Sequence, residues 1–397
     1  MTTPPDRTPG PLNRALRLAW RILAIAAIGL MLYVQIQRTR PVELPAPRGP
    51  YAVGRMLFDW EDTARAEPYA PEPGAHRELT VWVWYPAAPP PGTAPAAYLP
   101  GRWAQLTQQS NFQFIFAQSL DSVRVHAVES APAASDGAPY PILVLLPGMN
   151  LAATDYTALA ESLASHGYVV AAINPTHSAP VVVFTDGRIV QSSRDAIFDP
   201  SEALATEWAR DAMFVADRLA ELDAGTGPLA GALDLDRLGV LGHSFGGTAA
   251  TQACRLDARC VAVVALDAEP HPEVITGSFD RPLLMLMGEA AGAFAATCDD
   301  ECRRFDQEML ARLRQLPGEH YRVLIRGARH YTFLDAATFF SPVYRFYGAL
   351  GPLDGRRGLT VIQDYTLAFF DRYLRQQPAP LLTGDTTGYP EVDFAGQ

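Results

Sequence analysis

The sequence GHSFGG at residues 242–247 is the part of this 397-residue chain with the clearest chemical meaning. It follows the apolar run LGVL and precedes an alanine-rich stretch with helical character. A G-x-S-x-G motif at a strand-to-helix junction forms a sharp turn that exposes the serine hydroxyl, and its glycines let neighbouring backbones approach without a Cβ clash. The motif therefore predicts Ser244 as the nucleophile of an acyl-transfer reaction. The alternative is a tight turn without chemistry.

A serine nucleophile needs a general base, because its hydroxyl is weakly reactive at neutral pH, and a carboxylate must hold that base. In this architecture the partners follow in the order Ser, acid, His. Three histidines come after Ser244, namely His271, His320 and His330. His330 lies after the last strand-like run, where a base can reach the strand ends, whereas His320 precedes that run and His271 lies close to the preceding strand. The order predicts His330 as the base, with an ordinary surface histidine as the alternative.

Two carboxylates are candidates for orienting the base. Asp267 ends the strand-like run CVAVVALD, and Glu289 follows the next run, RPLLMLMG. Both positions lie at carboxyl ends of strands, where open α/β sheets place their sites. Position alone favours Asp267, and Glu289 stays as the alternative acid. The oxyanion of the reaction needs two backbone N–H donors, for which Phe245 and Met149 are the candidates.

Short apolar runs separated by helical patterns indicate how these residues are positioned. Runs of Val, Leu, Ile and Ala without polar alternation are typical of parallel strands covered on both faces. The strand candidates are residues 79–86, 141–148, 168–175, 237–244, 260–267, 281–288 and 321–327. The helix candidates are residues 154–166, 201–222, 245–257, 303–316 and 360–374, with Ser201 as an N-cap. The alternation predicts the α/β class with a doubly wound, mostly parallel sheet, to which residues 79–86 add an antiparallel edge.

Residues 1–40 are expected to contain a membrane-spanning helix. Residues 16–36 form a mostly apolar stretch whose only charged residues are Arg17 and Arg21, and 21 residues of helix rise about 30 Å, enough to cross a bilayer. Basic residues are more frequent before the run than after it, which predicts a cytoplasmic N-terminus and an exported body. Secretion after cleavage of a signal peptide is one alternative, and a buried amphipathic helix is another.

The remaining chain is expected to form one catalytic domain. A proline-rich linker is predicted at residues 41–50, the domain at residues 51–378, and a tail without a core pattern at residues 379–397. Residues 98–135 are interpreted as an insertion whose alternating phenylalanines line a lid or pocket wall, or simply pack against the domain.

Composition excludes several classes of function. The formal charge is −11, and no basic stripe interrupts the acidic body, which disfavours nucleic acid as a partner. The chain has no lysine, which excludes a Schiff-base lysine and a Walker-type phosphate site. Its four cysteines have no metal-site spacing, and the predicted chemistry needs no metal or cofactor. In an exported domain they predict the disulfides Cys254–Cys260 and Cys298–Cys302, with four free thiols as the alternative.

Taken together, these motifs resemble the platelet-activating factor acetylhydrolase family, plasma and bacterial type, of the α/β-hydrolase superfamily. The resemblance lies in GPYAVGRMLFDWEDTAR, LLPGMN, SHGYVVAAINPTHS, GHSFGG, VALDAEPHP and GARHYTFLD. It implies an α/β-hydrolase fold, a triad of Ser244, Asp267 and His330, and oxyanion donors at Met149 and Phe245. The chain departs from the family at two places. It has Leu-Pro-Gly before Met149 where the family has Ser-His-Gly, and it has AEPHP after the acid where the family has an aromatic-rich stretch.

The sequence therefore predicts a membrane-tethered, exported serine carboxylic-ester hydrolase that forms an acyl-enzyme on phospholipid or other lipid esters. A cutinase-like or polyester hydrolase and an acyltransferase are the alternatives among enzymes. A non-catalytic binding domain tethered to the membrane is the alternative from another class, although a binding domain has no need of a complete Ser, His and Asp set. Acyl chain length, head group and oligomeric state are left open.

Overall fold

The computed structural model describes residues 10–110, 119–289, 300–339, 345 and 348–396. The strands are β1 Val42–Glu43, β2 Ala52–Ala66, β3 His76–Ala87, β4 Val123–Arg124, β5 Val128–Glu129, β6 Tyr140–Leu146, β7 Val169–Pro175, β8 Val181–Val183, β9 Ile189–Gln191, β10 Leu233–His243, β11 Cys260–Leu266, β12 Leu283–Gly288, β13 His320–Ile325 and β14 Val392–Gly396. The α-helices are α1 Pro11–Thr39, α2 Trp103–Ser110, α3 Thr157–Ser165, α4 Arg194–Ile197, α5 Glu202–Ala224, α6 Phe245–Leu256, α7 Pro272–Thr276, α8 Asp300–Leu313, α9 Ala336–Phe339 and α10 Gly355–Arg375.

Ten strands form the central sheet, in the order β14-β13-β12-β11-β10-β6-β7-β3-β2-β5. The strands from β13 to β7 in this order run parallel to one another, whereas β14, β3 and β2 each pair antiparallel with a neighbour. This topology confirms the predicted α/β class with a mostly parallel sheet. It also brings the carboxyl ends of β6, β10, β11 and β13 to one edge, where a shared site can form.

Helices cover both faces of the sheet, as its apolar strands predict. Leu143 and Leu145 of β6 belong to a core cluster with residues of α3 and α10. Ile142 and Val144 belong to the cluster on the other face, which includes residues of α5 and α6. Successive side chains of a strand point to opposite faces, so a run with no polar alternation is buried on both. At the start of α5, the Ser201 hydroxyl accepts a hydrogen bond from the Leu204 N–H at 3.2 Å and caps the helix as predicted.

Two segments differ from the expectations for the domain ends. Residues 392–396 of the predicted tail form β14, which pairs antiparallel with β13 and covers an otherwise open sheet edge. In the predicted linker, β1 pairs with β4, and Val42 and Leu44 are buried. Strand β3 is antiparallel as predicted but lies inside the sheet, because the long strand β2 pairs along its outer side.

The N-terminal helix α1 is exposed along its length. Its segment Leu12–Thr39 is long and apolar enough to cross a membrane, and none of its most apolar window is buried. Apolar side chains such as Ile25 and Met31 are 70% and 69% exposed. The catalytic domain therefore leaves the apolar surface of this helix uncovered.

The described residues include both cysteine side chains of one of the two predicted disulfides. A disulfide joins Cys254, near the end of α6, to Cys260 at the start of β11. Cys298 and the side chain of Cys302 lie outside the described residues, as do the phenylalanines at positions 112, 114 and 116 of the insertion.

Two aspartates, the buried Asp335 and the half-buried Asp155, connect the loop after β13 to the segment before α3. Asp335 accepts hydrogen bonds from the N–H groups of Thr157 and Ala158, both at 2.9 Å, and so caps α3. The backbone N–H of Asp335 donates to the carbonyl oxygen of Asp155 at 2.8 Å. The Asp155 carboxyl accepts from the Ala152 N–H at 2.8 Å. Two loops that are distant in sequence are therefore held together.

We expect this arrangement to make stability fall as the pH rises. Burial raises the pKa of Asp155 to about 6 and raises the pKa of Asp335 well above its usual value. Between about pH 4 and pH 6, the folded protein then binds more protons than the unfolded protein. The free energy of unfolding therefore falls as the pH rises through that window, by about 3 kcal/mol for Asp155. Asp155→Asn keeps an acceptor for the Ala152 N–H. It should raise the free energy of unfolding by about 2–3 kcal/mol at pH 8 and leave it unchanged at pH 4. Urea denaturation at the two pH values measures this.

The exposed Asp121 provides the matched control, and Asp121→Asn should keep the free energy of unfolding within about 0.5 kcal/mol of wild type. An equal effect of Asp155→Asn at both pH values would show that Asp155 is ionised in the folded protein.

Candidate active site

Ser244 lies between the end of β10 and the start of α6, in a strained turn. Its φ and ψ angles are 53° and −128°, in a region that non-glycine residues rarely adopt. A Cβ atom at Gly242 would collide with the carbonyl oxygen of Gly246, and one at Gly246 would collide with that of Pro147. The two glycines of the motif are therefore required for the turn. The Ser244 N–H donates to the Leu266 carbonyl at 2.9 Å, which ties the turn to β11.

Asp267 and His330 meet at the same edge of the sheet. Asp267 directly follows β11, and His330 begins a short 3₁₀ turn after β13. Nδ1 of His330 lies 2.6 Å from Oδ2 of Asp267, and Oδ1 of Asp267 accepts the Gly288 N–H at 2.8 Å. An imidazole that donates Nδ1–H to a carboxylate leaves Nε2 free to accept a proton.

The electrostatics of this pair favour an ionised carboxylate. Burial alone would raise the pKa of Asp267, but the hydrogen bond and charge of His330, together with the Gly288 N–H, outweigh it and lower the pKa below its ordinary value. Asp267 is therefore ionised at neutral pH, which suits it to orient an imidazole and stabilise its protonated form.

The other candidate acid and bases have different partners. Oε2 of Glu289 accepts the Gly327 N–H at 2.8 Å, so this side chain supports the loop that leads to His330. His271 caps α7 by accepting the Glu273 N–H at 3.2 Å, and His320 is a buried residue of β13.

The predicted oxyanion loop follows β6 and lies against the nucleophile. An ideal Cβ at Gly148 would be 3.3 Å from the Cβ of Ser244, so the two residues approach closely. The Gly148 carbonyl accepts the Leu151 N–H at 3.0 Å. In a trans peptide the C=O and N–H point in opposite directions, so the Met149 N–H points away from Leu151. Within the described part of the chain, the N–H groups of Met149 and Phe245 make no hydrogen bond.

Sequence reasoning did not assign a role to two neighbours of this site, Tyr156 and His243. Both are buried, and the Tyr156 hydroxyl lies 2.9 Å from Nδ1 of His243. The His243 ring lies 4.4 Å, centroid to centroid, from that of His330. Burial, together with the charge of His330, lowers the pKa of His243 to about 3, so it is neutral. His243 belongs to the serine motif, but no local pattern identifies Tyr156.

Potential metal-ligand atoms of His243, Asp267 and His330 all lie within 4.8 Å of one another. Nδ1 of His330 is engaged with Asp267, and Nδ1 of His243 with Tyr156. These hydrogen bonds explain why the three side chains lie together: Asp267 and His330 form an acid–base pair, and the neutral His243 lies beside it.

A cavity of about 300 Å³ adjoins the nucleophile turn and the segment after Asp267. Its apolar walls include Phe245, Ala205, Pro270 and Ile275, and its charged lining residues are Glu202, Glu269 and Arg312. A larger cavity of about 460 Å³ involves Glu67, Glu78, His177 and their neighbours, and its lining contains none of the predicted site residues. Of these two cavities, the smaller one shares a lining residue, Phe245, with the predicted site.

Comparison with known proteins places the chain in a family. The model of the family "Platelet-activating factor acetylhydrolase, isoform II" matches residues 37–197 and 217–379. Platelet-activating factor acetylhydrolase of Cavia porcellus is 24% identical over 279 residues, covering 64% of this chain and 62% of the relative. A probable 1-alkyl-2-acetylglycerophosphocholine esterase of Arthroderma benhamiae is 27% identical over 270 residues, covering 64% of this chain and 66% of the relative.

A solved structure extends the comparison to the fold. The ferulic acid esterase of Streptomyces cinnamoneus superposes with a TM-score of 0.74 at 33% identity, covering 89% of this chain and 99% of that esterase. The match to the curated relatives spans less than two thirds of their own lengths, whereas the match to the esterase spans nearly all of it. The chain belongs to the platelet-activating factor acetylhydrolase isoform II family of the α/β-hydrolase superfamily.

Proposed function

We propose that this protein is a serine carboxylic-ester hydrolase with Ser244 as nucleophile, His330 as general base and Asp267 as the orienting acid. The observation that carries the proposal is the 2.6 Å hydrogen bond between His330 and Asp267, at the sheet edge where the strained Ser244 turn also lies. Family membership and the esterase neighbour support the same reaction class.

The proposed reaction has two halves. The Ser244 hydroxyl attacks the ester carbonyl while Nε2 of His330 takes its proton, and Asp267 stabilises the imidazolium. The N–H groups of Met149 and Phe245 stabilise the oxyanion, a contribution worth about 3 kcal/mol per donor in comparable enzymes. His330 then protonates the leaving alkoxide. Water, activated by His330, releases the acid from the acyl-enzyme and restores Ser244.

We propose an ester with a compact apolar group as the substrate class, including phospholipid and other lipid esters. The mostly apolar lining of the cavity beside Phe245 supports this assignment. One relative is a probable 1-alkyl-2-acetylglycerophosphocholine esterase and the structural neighbour is a ferulic acid esterase, so acetylated ether phospholipids and ferulic acid esters are the first substrates to compare.

A substrate panel tests this proposal. The full chain should hydrolyse short-chain p-nitrophenyl esters and react with a fluorophosphonate, and kcat/KM for feruloyl, acetyl-phospholipid and polyester substrates should then rank the substrate classes. Product analysis with an added alcohol distinguishes hydrolysis from acyl transfer. Failure of every activated ester and of the fluorophosphonate to react would instead favour a non-catalytic binding domain.

We further propose that α1 anchors the catalytic domain to a membrane, with the domain on the exported side. Exposed apolar side chains along α1 and arginines near its ends support an anchor. The Cys254–Cys260 disulfide suits an oxidising compartment. Secretion after cleavage of this segment is the alternative.

Removing residues 1–40 should move the protein from the membrane fraction to the soluble fraction, because no other apolar segment of the described chain is long enough to span a bilayer. Fractionation by ultracentrifugation, with carbonate extraction, measures this. Full-length protein in the soluble fraction, with residues 1–40 still attached, would contradict the anchor.

A further inference from the structure

The buried side chains of Tyr156 and His243 connect three parts of the proposed site. The Tyr156 hydroxyl accepts the Gly148 N–H at 2.9 Å and lies 2.9 Å from Nδ1 of His243. His243 immediately precedes Ser244, and its ring lies against that of His330. A series of contacts therefore leads from Gly148 of the oxyanion loop, through Tyr156 and His243, to the base His330.

A single hydrogen bond joins the two side chains. The hydroxyl oxygen of Tyr156 accepts the Gly148 N–H and shares one proton with Nδ1 of His243. His243 is neutral, since burial and the charge of His330 lower its pKa to about 3. The titratable groups that face His243 are Tyr156, His330 and Asp267.

The Tyr156 hydroxyl fixes one side of the oxyanion loop. It holds the peptide N–H of Gly148, while the Leu151 N–H holds the carbonyl oxygen of the same residue at 3.0 Å. With both polar groups of Gly148 engaged, the next peptide cannot rotate freely, so the direction of the Met149 N–H is set. An oxyanion donor is effective only when it is aimed in advance at the developing charge.

His243 packs against the base. Its ring lies 4.4 Å from that of His330 and 5.7 Å from that of Phe333, the latter with an interplanar angle of 23°. Because the ring is neutral, it does not repel His330 when that residue becomes an imidazolium during the reaction. A charged neighbour at this distance would oppose proton transfer from Ser244.

We propose that Tyr156 and His243 are a positioning pair that holds the oxyanion loop and the base of the esterase in one fixed geometry. The proposal rests on the esterase function proposed above. It differs from a purely structural role because it predicts a loss of kcat without a matching loss of stability or of substrate binding.

Tyr156→Phe in the full chain tests the pair by removing only the shared hydroxyl. We expect kcat for p-nitrophenyl acetate to fall about 10- to 100-fold, because the oxyanion donor is less well aimed, while KM changes less than about threefold. Tyr85→Phe is the matched control. It also removes a buried tyrosine hydroxyl, which donates to the Ala131 carbonyl at 2.6 Å outside the site, and should leave kcat unchanged.

Substitutions at His243 test the other half of the pair. His243→Asn places an amide oxygen near the position of Nδ1 and should retain kcat within about fivefold, whereas His243→Leu should lose as much as Tyr156→Phe. The double variant Tyr156→Phe/His243→Leu should lose less than the product of the two single losses, since the contact between the two side chains is removed by either change. If Tyr156→Phe does not fold, the difference in kcat between His243→Asn and His243→Leu tests the positioning pair.

Two failures can be told apart. Wild-type protein that reacts with no ester and no fluorophosphonate would overturn the proposed function itself. Active wild-type protein with an unchanged kcat in Tyr156→Phe, or with losses at the two positions that multiply independently, would overturn the positioning pair and leave the esterase function standing.

Discussion

Ser244→Ala is expected to lower kcat for a short-chain p-nitrophenyl ester by about 10⁵- to 10⁶-fold. The physical reason is that the acyl-enzyme cannot form without the hydroxyl, so the two-step reaction is lost. KM should change little, because the serine side chain adds little to binding of the ground state. Steady-state kinetics with the full chain in detergent measure both constants.

Ser178→Ala is the matched control for this change. Ser178 is a buried serine, and its hydroxyl has no hydrogen-bond partner among the described residues, so its removal should leave kcat unchanged. Ester turnover by Ser244→Ala at more than about a hundredth of the wild-type rate would show that another group is the nucleophile.

Asp267→Asn is expected to lower kcat by about 10⁴-fold. The asparagine keeps the size of the side chain but offers His330 an amide in place of a carboxylate. The imidazole then loses both the partner that fixes its tautomer and the negative charge that stabilises its protonated form. The wild-type hydrogen bond of 2.6 Å and the lowered pKa of Asp267 are the interactions that the substitution removes.

Glu289→Gln separates the two candidate acids. The glutamine retains an oxygen that can accept the Gly327 N–H, so we expect kcat within about threefold of wild type. Both variants should be measured against the same ester, with their folding checked by thermal denaturation. A large loss in Glu289→Gln with a mild one in Asp267→Asn would reassign the acid.

The sheet could be predicted from the sequence because its strands carry a strong local pattern. Apolar runs such as residues 141–148 and 260–267 are buried on both faces of the sheet, and a single stretch of chain is enough to reveal that. The serine turn could be predicted for the same reason, since its glycines and its serine lie close together in the sequence. The catalytic roles of Ser244, Asp267 and His330 remain predictions, which the variants above test.

The rest of the fold and site depends on contacts between distant residues. Strand β14 has the five-residue sequence VDFAG, too short for a clear strand pattern, and it is a strand because β13 offers it an open edge. Tyr156 and His243 are 87 residues apart, and only the folded chain brings them together. Asp335 caps a helix that begins 178 residues earlier in the sequence, so no capping pattern could identify it. Such contacts leave no periodic signal in one sequence.

Mapping the site of covalent labelling tests the central claim most directly. The full chain would be treated with a fluorophosphonate, digested, and analysed by tandem mass spectrometry. We expect a single phosphonyl adduct on Ser244, formed far more slowly in His330→Gln because the hydroxyl loses its base. An adduct on any other residue, or labelling of Ser244 at the same rate in His330→Gln, would contradict the assignment of this serine and this histidine to one active site.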